Sequence, residues 1–387
     1  MLNRKDNVMG KKYDLIIVTG VAFPYGMASS NRLLCYASSI AETKKVLVLT
    51  YDAPYREGTQ EIGNINGVDY RYMQCYMLRP NKMLRLLFLL YRYVKLLLLL
   101  LFCYKCKAVV FLSHRMLYAI MVKSVLAIKG VPFYREISET PENIKSVWKR
   151  EGVLYVNRIF DGFIVISYGI ENLLKKYAHK SKYFFLPVLV QIDRFRECGI
   201  VSKRDVIFYC SGGNAERDGL LDILNGFIQY KEKFGSDIKL EIATFFNSSD
   251  PYHKKVKDLI DRYPLCFTYL GCLPTTEIPR KLMEAKVLML TPHKNYVTRG
   301  FPTKLGEYFA SGTPVICSSI DDLVDQIPSD IVSFVRPNSP DDICEALNNL
   351  LSDNQASMEL GDKARQWVTE NYTMGNYRDG LVQFLGL

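Results

Sequence analysis

A run of residues near position 300 combines the groups that hold a phosphorylated ligand. Pro302 and Thr303 suit the first turn of a helix, where backbone N–H groups have no partner within the helix and can bind phosphate. Lys304 adds positive charge at that end, and Glu307, one turn further on, can accept two ribose hydroxyls. Gly312 then ends the helix. The same spacing also fits an ordinary helix with a Lys–Glu surface pair. The rest of the chain is therefore needed to distinguish a phosphate-binding helix from an ordinary one.

Two successive strand–helix–strand series would position this run. In the first half, apolar runs predict strands at residues 13–20, 45–50, 108–112, 131–134 and 162–166, with a helix over 31–43. The pattern restarts with a strand at 205–210 and a helix at 219–234, followed by strands at 239–243, 266–270, 287–290 and 313–317. Such a chain is typical of two Rossmann-like domains with ligands at the carboxyl ends of the strands. The polar stretch at 193–204 separates them.

The composition excludes several classes of protein. The chain has 387 residues, 49% of them hydrophobic and 12% aromatic, which excludes a disordered or low-complexity chain. The net charge of +10 is uneven: residues 1–197 carry 30 Lys+Arg against 15 Asp+Glu, and the remainder carries 20 against 25. This asymmetry argues against a nucleic-acid binder and predicts an anionic partner for the first domain alone.

The cysteines and acidic residues predict no metal and no other cofactor. Ten cysteines are scattered along the chain, and no secretion signal leads it, so reduced thiols in a cytoplasmic protein are expected. Cys103 and Cys106 form an isolated CxxC, although a structural zinc needs four ligands. The acidic pairs at 321–322 and 341–342 fit helix starts, where the helix dipole favours negative charge.

Residues 83–102 form a leucine-rich segment long enough to cross a bilayer. Arg85, Arg92 and Lys95 interrupt it, and at 100° per residue they share one face. We therefore expect an interfacial helix with its apolar face in lipid and its basic face toward headgroups. A buried domain helix and a transmembrane helix are the alternatives.

Residues 302–316 resemble the donor-binding signature of GT-B glycosyltransferases of the glycosyltransferase 4 family, in the branch reading Pro-Ser/Thr-Lys-Leu-x-Glu-Tyr-x-Ala-x-Gly-x-Pro-Val-Ile. Residues 20–32, 161–167 and 186–195 resemble further segments of that family. The resemblance implies an α/β chain of two Rossmann-like domains facing a central cleft. Residues 1–196 would form the acceptor-side domain, with a basic amphipathic helix near 83–104. Residues 197–370 would bind the nucleotide sugar, and a helix in 371–387 would cross back to the first domain.

The resemblance also assigns donor-binding residues in the second domain. Glu307 would bind the nucleotide ribose and serve as a catalytic residue, and the backbone at Pro302, Thr303, Lys304 and Leu305 would hold the diphosphate. The family has a Lys before a Gly in the first helix of this domain. Near that register the chain has Arg217, which we assign to the diphosphate because guanidinium is an effective phosphate partner. Gly212 belongs to the same donor loop.

One position departs from the family pattern. The family's first glutamate, which contacts the transferred sugar, would fall at residue 299, where this chain has Arg299. We therefore assign Arg299 to the donor as a contact for a phosphate or an acidic sugar, and sugar recognition is not carried over.

Six residues of the first domain complete the assignment. His114 follows an apolar strand, and the family often has there a histidine that contacts the donor sugar, so we assign His114 as catalytic. Gly20 and Gly26 would line the donor side of the cleft. Arg32, Glu136 and Glu139 are candidates for the acceptor side. The alternatives are an ordinary loop histidine and acids at a solvated helix start.

These assignments predict a retaining, metal-independent glycosyltransferase that uses a nucleotide-diphosphate sugar. Its acceptor would be a lipid-linked glycan in the biosynthesis of a bacterial cell-surface polysaccharide, such as lipopolysaccharide or capsule. The protein would be cytoplasmic and peripheral on the anionic inner face of the plasma membrane. Two alternatives stay open: a nucleotide-sugar 2-epimerase of the same fold, and a degenerate scaffold protein, which Arg299 would favour.

Overall fold

The fold is taken from a computed structural model of the chain. It describes residues 10–26, 28–51, 60–73, 82–139, 144, 146–212, 215–293 and 301–387, without the side chains of 82–86 and 321–322. The chain divides into two compact units, the first made of Met1–Leu189 with Met374–Leu387 and the second of Val190–Thr373. The first unit therefore ends a few residues before the boundary predicted after residue 196.

The first unit is built on one large, mainly parallel sheet. Its strands are β1 (Lys11–Lys12), β2 (Leu15–Thr19), β3 (Val46–Thr50), β4 (Ile62–Ile65), β5 (Val68–Tyr72), β6 (Tyr104–Lys105), β7 (Ala108–Leu112), β8 (Phe133–Ile137), β9 (Gly162–Val165) and β10 (Lys182–Phe185). Among the described residues the order is β10-β9-β8-β7-β2-β3-β5-β4, and β4 alone runs antiparallel to its neighbour. Strands β1 and β6 form a separate parallel pair. The central strands β2, β3 and β7 are buried along their whole length, as expected for a sheet covered on both faces.

Five helices lie between these strands, in the described residues of the first unit before residue 190. They are α1 (Ala28–Ala41), α2 (Lys82–Leu98), α3 (Met116–Lys129), α4 (Val147–Val156) and α5 (Tyr168–Lys175), and α2 continues as a π-helical segment, Leu99–Cys103. No helix among the described residues combines the length and the apolar character that a membrane span requires.

Two basic residues of α2 do not face outward, in contrast to the expectation for a helix whose basic face meets lipid headgroups. Arg92 donates to the carbonyl oxygen of Tyr51 at 3.3 Å, and Lys95 donates to that of Met73 at 3.1 Å. Both cations thus point toward the body of the first unit, where backbone carbonyl oxygens accept their hydrogen bonds. The side chain of Arg85 lies outside the described residues.

The second unit repeats the architecture with a smaller parallel sheet. Its strands are β11 (Val206–Cys210), β12 (Lys239–Ala243), β13 (Phe267–Gly271), β14 (Val287–Leu290), β15 (Val315–Ser318) and β16 (Ser333–Val335), in the order β13-β12-β11-β14-β15-β16. Its helices are α6 (Asp193–Arg196), α7 (Leu220–Phe234), α8 (Pro251–Arg262), α9 (Ile278–Glu284), α10 (Thr303–Ala310), α11 (Asp321–Val324), α12 (Pro340–Ser352) and α13 (Asn354–Asn371).

The chain then returns to the first unit through α14 (Arg378–Phe384). Leu381 and Leu385 are buried in the first unit's core, and the Phe384 ring lies 5.2 Å from that of Tyr134 on β8. The expected α/β architecture of two Rossmann-like domains is confirmed.

Candidate active site

The helix α10 begins where the sequence predicts, with Thr303 as its first residue and Pro302 immediately before it. Its buried face includes Leu305 and Tyr308, each with no exposed surface, which fixes the helix against the sheet. Thr303 and the side chains of Lys304 and Glu307 are half-buried along the remaining face. The first turn of α10 thus presents backbone N–H groups, a cation and a carboxylate together.

Tyr308 ties α10 to the end of β11. Its hydroxyl accepts a hydrogen bond from the backbone N–H of Cys210 at 3.1 Å, inside the core. Burial also raises the pKa of the Cys210 thiol to about 11, which keeps this neighbour protonated and neutral at physiological pH. Tyr308 therefore anchors α10 to the end of β11.

Lys304 makes an ion pair with Asp218, a nearly buried carboxylate. Lys304 Nζ also lies 3.3 Å from Ser211 Oγ, which itself donates to Asp218 at 2.8 Å. The Tyr209 hydroxyl donates to the same carboxylate at 3.2 Å. All three groups donate to Asp218 Oδ2 near the carboxyl end of β11, and the carboxylate holds the ammonium group of Lys304 at that position.

Glu307 is paired with Arg194. Arg194 Nη1 donates to Glu307 Oε1 at 2.7 Å, and Arg194 Nη2 donates to the carbonyl oxygen of Thr275 at 2.6 Å. The two anchors fix the guanidinium, and the guanidinium in turn fixes the direction of the carboxylate. Arg194 lies on α6, which explains why the second unit begins before residue 197.

The loop between β11 and α7 carries the remaining predicted donor residues. Gly212 is exposed just after β11, and Arg217 is half-buried, with its carbonyl oxygen accepting from the His293 N–H at 3.3 Å. His293 Nε2 and Asp222 Oδ2 lie 2.8 Å apart, which links the loop after β14 to the first turn of α7. Arg299 lies outside the described residues, so its assignment stays a prediction.

Sequence reasoning did not find Asp218 and Arg194. Asp218 adjoins Arg217 in a short polar run, which reads as a solvated turn, and Arg194 lies in the polar stretch interpreted as a linker. Their partners Lys304 and Glu307 are 86 and 113 residues away in sequence. No local pattern in a single sequence reveals such a pairing.

The first unit contains a cavity of about 250 Å³ where β2, β7 and β8 end. Gly20, His114, Glu136 and Glu139 line it, together with Ser29 in the first turn of α1. Four residues that the sequence selected separately thus lie around one cavity, at the edge where a parallel sheet binds ligands. Gly26 lies in the loop before α1, where an added Cβ atom would fall 2.0 Å from Ser30 Oγ.

His114 is an exposed residue at this cavity, and the pKa of its imidazole is lowered. The larger causes are desolvation at the cavity wall and the positive charge of buried Arg135, which outweigh the opposing influence of Glu139. The imidazole is therefore neutral at physiological pH and has both a donor and an acceptor nitrogen.

Arg32 and Glu136 form a buried ion pair, with Arg32 Nε 2.7 Å from Glu136 Oε1. Arg32 also donates to the carbonyl oxygens of Leu186, at 2.7 Å, and Pro187. Both charged groups therefore hold the cavity wall in place. Glu139, by contrast, is exposed at its mouth.

Among the described residues, no three His, Cys, Asp or Glu side chains group in a way that could hold a metal ion. Lys304 lies in the first turn of α10, and Arg194 contacts Glu307 one turn further on.

The second unit resembles a known protein family. Residues 192–367, nearly the whole second unit and a little under half of the chain, match the family model described as Glycosyl transferases group 1. A search of curated protein sequences found no match.

Solved structures resemble the chain over almost its full length. Sucrose-phosphate synthase from Thermosynechococcus elongatus has a TM-score of 0.71 at 15% identity, covering 96% of this chain and 98% of its own. HepE from Anabaena in complex with UDP-glucose has a TM-score of 0.70 at 12% identity, and the match covers 96% of this chain and 99% of HepE. An α,α-trehalose-phosphate synthase from Burkholderia vietnamiensis has a TM-score of 0.70 at 12% sequence identity, and the match covers 96% of each chain.

These neighbours share the GT-B fold, and the chain therefore has the GT-B fold as well. With the glycosyltransferase domain in its second unit, the protein is an enzyme of the glycosyltransferase class.

Proposed function

We propose that this glycosyltransferase moves a sugar from a nucleotide-diphosphate sugar to a hydroxyl of a glycan acceptor. The observation that carries the proposal is the first turn of α10, where Lys304 and Glu307 lie one turn apart beside Ser211 at the end of β11. A diphosphate needs backbone N–H groups and a cation, and a ribose needs a carboxylate with two acceptor oxygens. The start of α10 offers all three.

Each group of the second unit then has a role toward the donor. The backbone at Thr303 and Leu305 binds the diphosphate, Lys304 and Arg217 neutralise it, and Glu307 accepts the ribose hydroxyls. Arg194 is a positioning residue, because it holds one oxygen of Glu307 while itself anchored on Thr275. Gly212 and, by resemblance, Arg299 complete the donor site. The structures of HepE with UDP and with UDP-glucose support a uridine diphosphate donor.

The reaction is proposed to retain the configuration at the anomeric carbon. The acceptor oxygen forms a bond to this carbon on the face from which the diphosphate leaves, and the bond to the diphosphate oxygen breaks. The acceptor proton passes to that departing oxygen, so no protein base is needed. Cationic side chains and the α10 amides stabilise the negative charge that develops on the diphosphate. Neutral His114 contacts the transferred sugar.

The acceptor is proposed to be a lipid-linked glycan of bacterial surface polysaccharide synthesis, as in the glycosyltransferase 4 family. Glu139 at the mouth of the first unit's cavity is the acceptor contact, and the Arg32–Glu136 pair shapes the wall behind it. A cytoplasmic protein at the inner face of the plasma membrane meets such an acceptor.

Thermal unfolding in the presence of UDP-, GDP-, ADP- and CMP-sugars tests the donor assignment, because a bound ligand stabilises the folded chain. We expect a UDP-sugar to raise the Tm, and Glu307→Ala to weaken binding about 10- to 100-fold, as for loss of hydrogen bonds to a charged group. Glu359→Ala, an exposed glutamate on α13, is the matched control and should bind normally. Chelation by EDTA should leave transfer unchanged.

Unaltered binding by Glu307→Ala would refute the assignment of that residue. Turnover of the nucleotide sugar without any acceptor would instead identify the 2-epimerase.

A further inference from the structure

In the helix α2, the described cations Arg92 and Lys95 point inward and several large apolar side chains are exposed. Arg92 and Lys95 donate to carbonyl oxygens of the first unit, and Lys95 also lies 3.5 Å from Glu61. On the inner side, Leu96 and Leu100 are fully buried. The helix is therefore docked on the body of the unit along its length.

The outward side of α2 and of the π-helical segment is apolar. Six large side chains each expose between 47% and 62% of their surface: Leu87, Leu90, Tyr91, Val94, Leu98 and Phe102. They extend over about 24 Å at 1.5 Å per residue. A contiguous apolar surface of this size marks an interaction site.

The neighbouring helix α3 also exposes large apolar side chains. Leu117, Ile120 and Ile128 recur at helical spacing and are 42% to 77% exposed. Helices α2 and α3 contact each other, and Lys129 at the end of α3 donates to the carbonyl oxygens of Leu100 and Tyr104. We call the six residues of α2 and the π-helical segment, with these three of α3, the apolar strip.

Positive charge lies directly beyond one end of the apolar strip. The π-helical segment ends at Cys103, and the β1–β6 pair that follows carries Lys11, Lys12 and Lys105, all exposed. An apolar surface bordered by lysines is complementary to an anionic bilayer, in which acyl chains lie beneath negative headgroups. The same surface of a second copy carries lysines as well, so it offers no negative charge to complement them.

We propose that the apolar strip is the surface by which the first unit inserts into the interfacial layer of an anionic membrane. Hydrophobic insertion by two helices supplies most of the affinity, and the β1–β6 lysines add preference for negative lipid. The proposal deepens the membrane location within the proposed function, but it is independent of donor chemistry.

Flotation with lipid vesicles tests this surface. We expect the full chain to float with vesicles of phosphatidylcholine mixed with phosphatidylglycerol, and Leu90→Ser/Val94→Ser/Leu98→Ser to reduce the bound fraction about tenfold or more. Lys11→Ser/Lys12→Ser/Lys105→Ser should reduce binding to the mixed vesicles and leave binding to pure phosphatidylcholine unchanged. Ile200→Ser/Leu265→Ser/Met358→Ser removes three exposed apolar residues of the second unit and should float like the unaltered chain.

Circular dichroism and UDP-sugar stabilisation establish that each variant is folded. Flotation of the α2 variant at the unaltered level would overturn the proposal, as would failure of the unaltered chain to bind vesicles. It would also be overturned if the strip held a dimer in solution that the α2 variant dissociates. Loss of UDP-sugar binding with intact flotation would refute the donor assignment alone.

Discussion

At the scale of single residues, the central feature of the second unit is a carboxylate that holds a cation. Asp218 is almost fully buried, and a buried charge is costly unless it is paired and hydrogen-bonded. Lys304, Ser211 and Tyr209 supply those partners. Lys304 thus has two roles, since it neutralises Asp218 and places positive charge at the start of α10.

Replacing Lys304 by Met should affect both roles. We expect the free energy of unfolding to fall by about 2–3 kcal/mol, less than for a fully buried pair because the Lys304 side chain is 25% exposed. Affinity for UDP should fall as well. Asp218→Asn keeps the shape of the partner and leaves a hydrated cation, so it should cost less stability and preserve UDP binding. Urea unfolding and titration calorimetry measure the two effects, and unchanged UDP affinity in Lys304→Met would contradict the assignment.

At the scale of elements, the loop from β11 to α7 is fixed by a close backbone approach. Gly219 precedes α7 with a φ of +73°, and an added Cβ would lie 2.0 Å from the carbonyl oxygen of Thr291. The Thr291 N–H donates to the Asp218 carbonyl oxygen at 3.2 Å. The start of α7 and the end of β14 therefore hold Arg217 and Asp218 in place together.

Substitution of Gly219 by Ala should displace this loop. A left-handed conformation costs a non-glycine residue about 1–2 kcal/mol, and the contact with backbone adds to that cost. We expect a loss of more than about 2 kcal/mol in urea unfolding, with weakened UDP binding. Gly235→Ala is the control, because Gly235 also has a positive φ, of 65°, but has no neighbour within 4 Å of an added Cβ. Equal losses for the two variants would show that backbone strain alone is responsible.

The sequence predicts those strands and helices that a local pattern of apolar residues reveals. The apolar runs identify the central strands, since burial on both faces demands continuous apolar sequence. Strands β4 and β10 are only partly buried and carry polar residues, so no run reveals them. Arg85, Arg92 and Lys95 share a face in the helical projection, but the projection does not tell which face of the helix contacts the rest of the protein. Likewise Lys304 and Glu307 are neighbours by spacing, whereas Asp218 and Arg194 reach them only through the fold.

At the scale of the whole molecule, the first unit is discontinuous in sequence. Residues 374–387 join it after the entire second unit has intervened. Leu381 on α14 has no exposed surface and packs in the core that also contains residues of β2, β3 and β7. The far end of the chain is thus an integral part of the first unit.

Leu381→Ala should destabilise the first unit selectively. Truncation of a buried leucine to alanine costs about 2–5 kcal/mol, and we expect the corresponding unfolding transition to shift to lower urea. UDP-sugar binding by the second unit should persist at urea concentrations where the first unit is already unfolded. Gln383→Ala, on the exposed side of the same helix, should leave both transitions in place. A common shift of both transitions would show that the units unfold together.

This discontinuity also sets an order of events during synthesis. Domains generally fold as they leave the ribosome, from the amino terminus onward. Here the unit that emerges first waits for its closing helix, whereas residues 190–373 are complete before that helix is translated. The nascent first half therefore spends the synthesis of the second half with the core surface that later packs against α14 still uncovered.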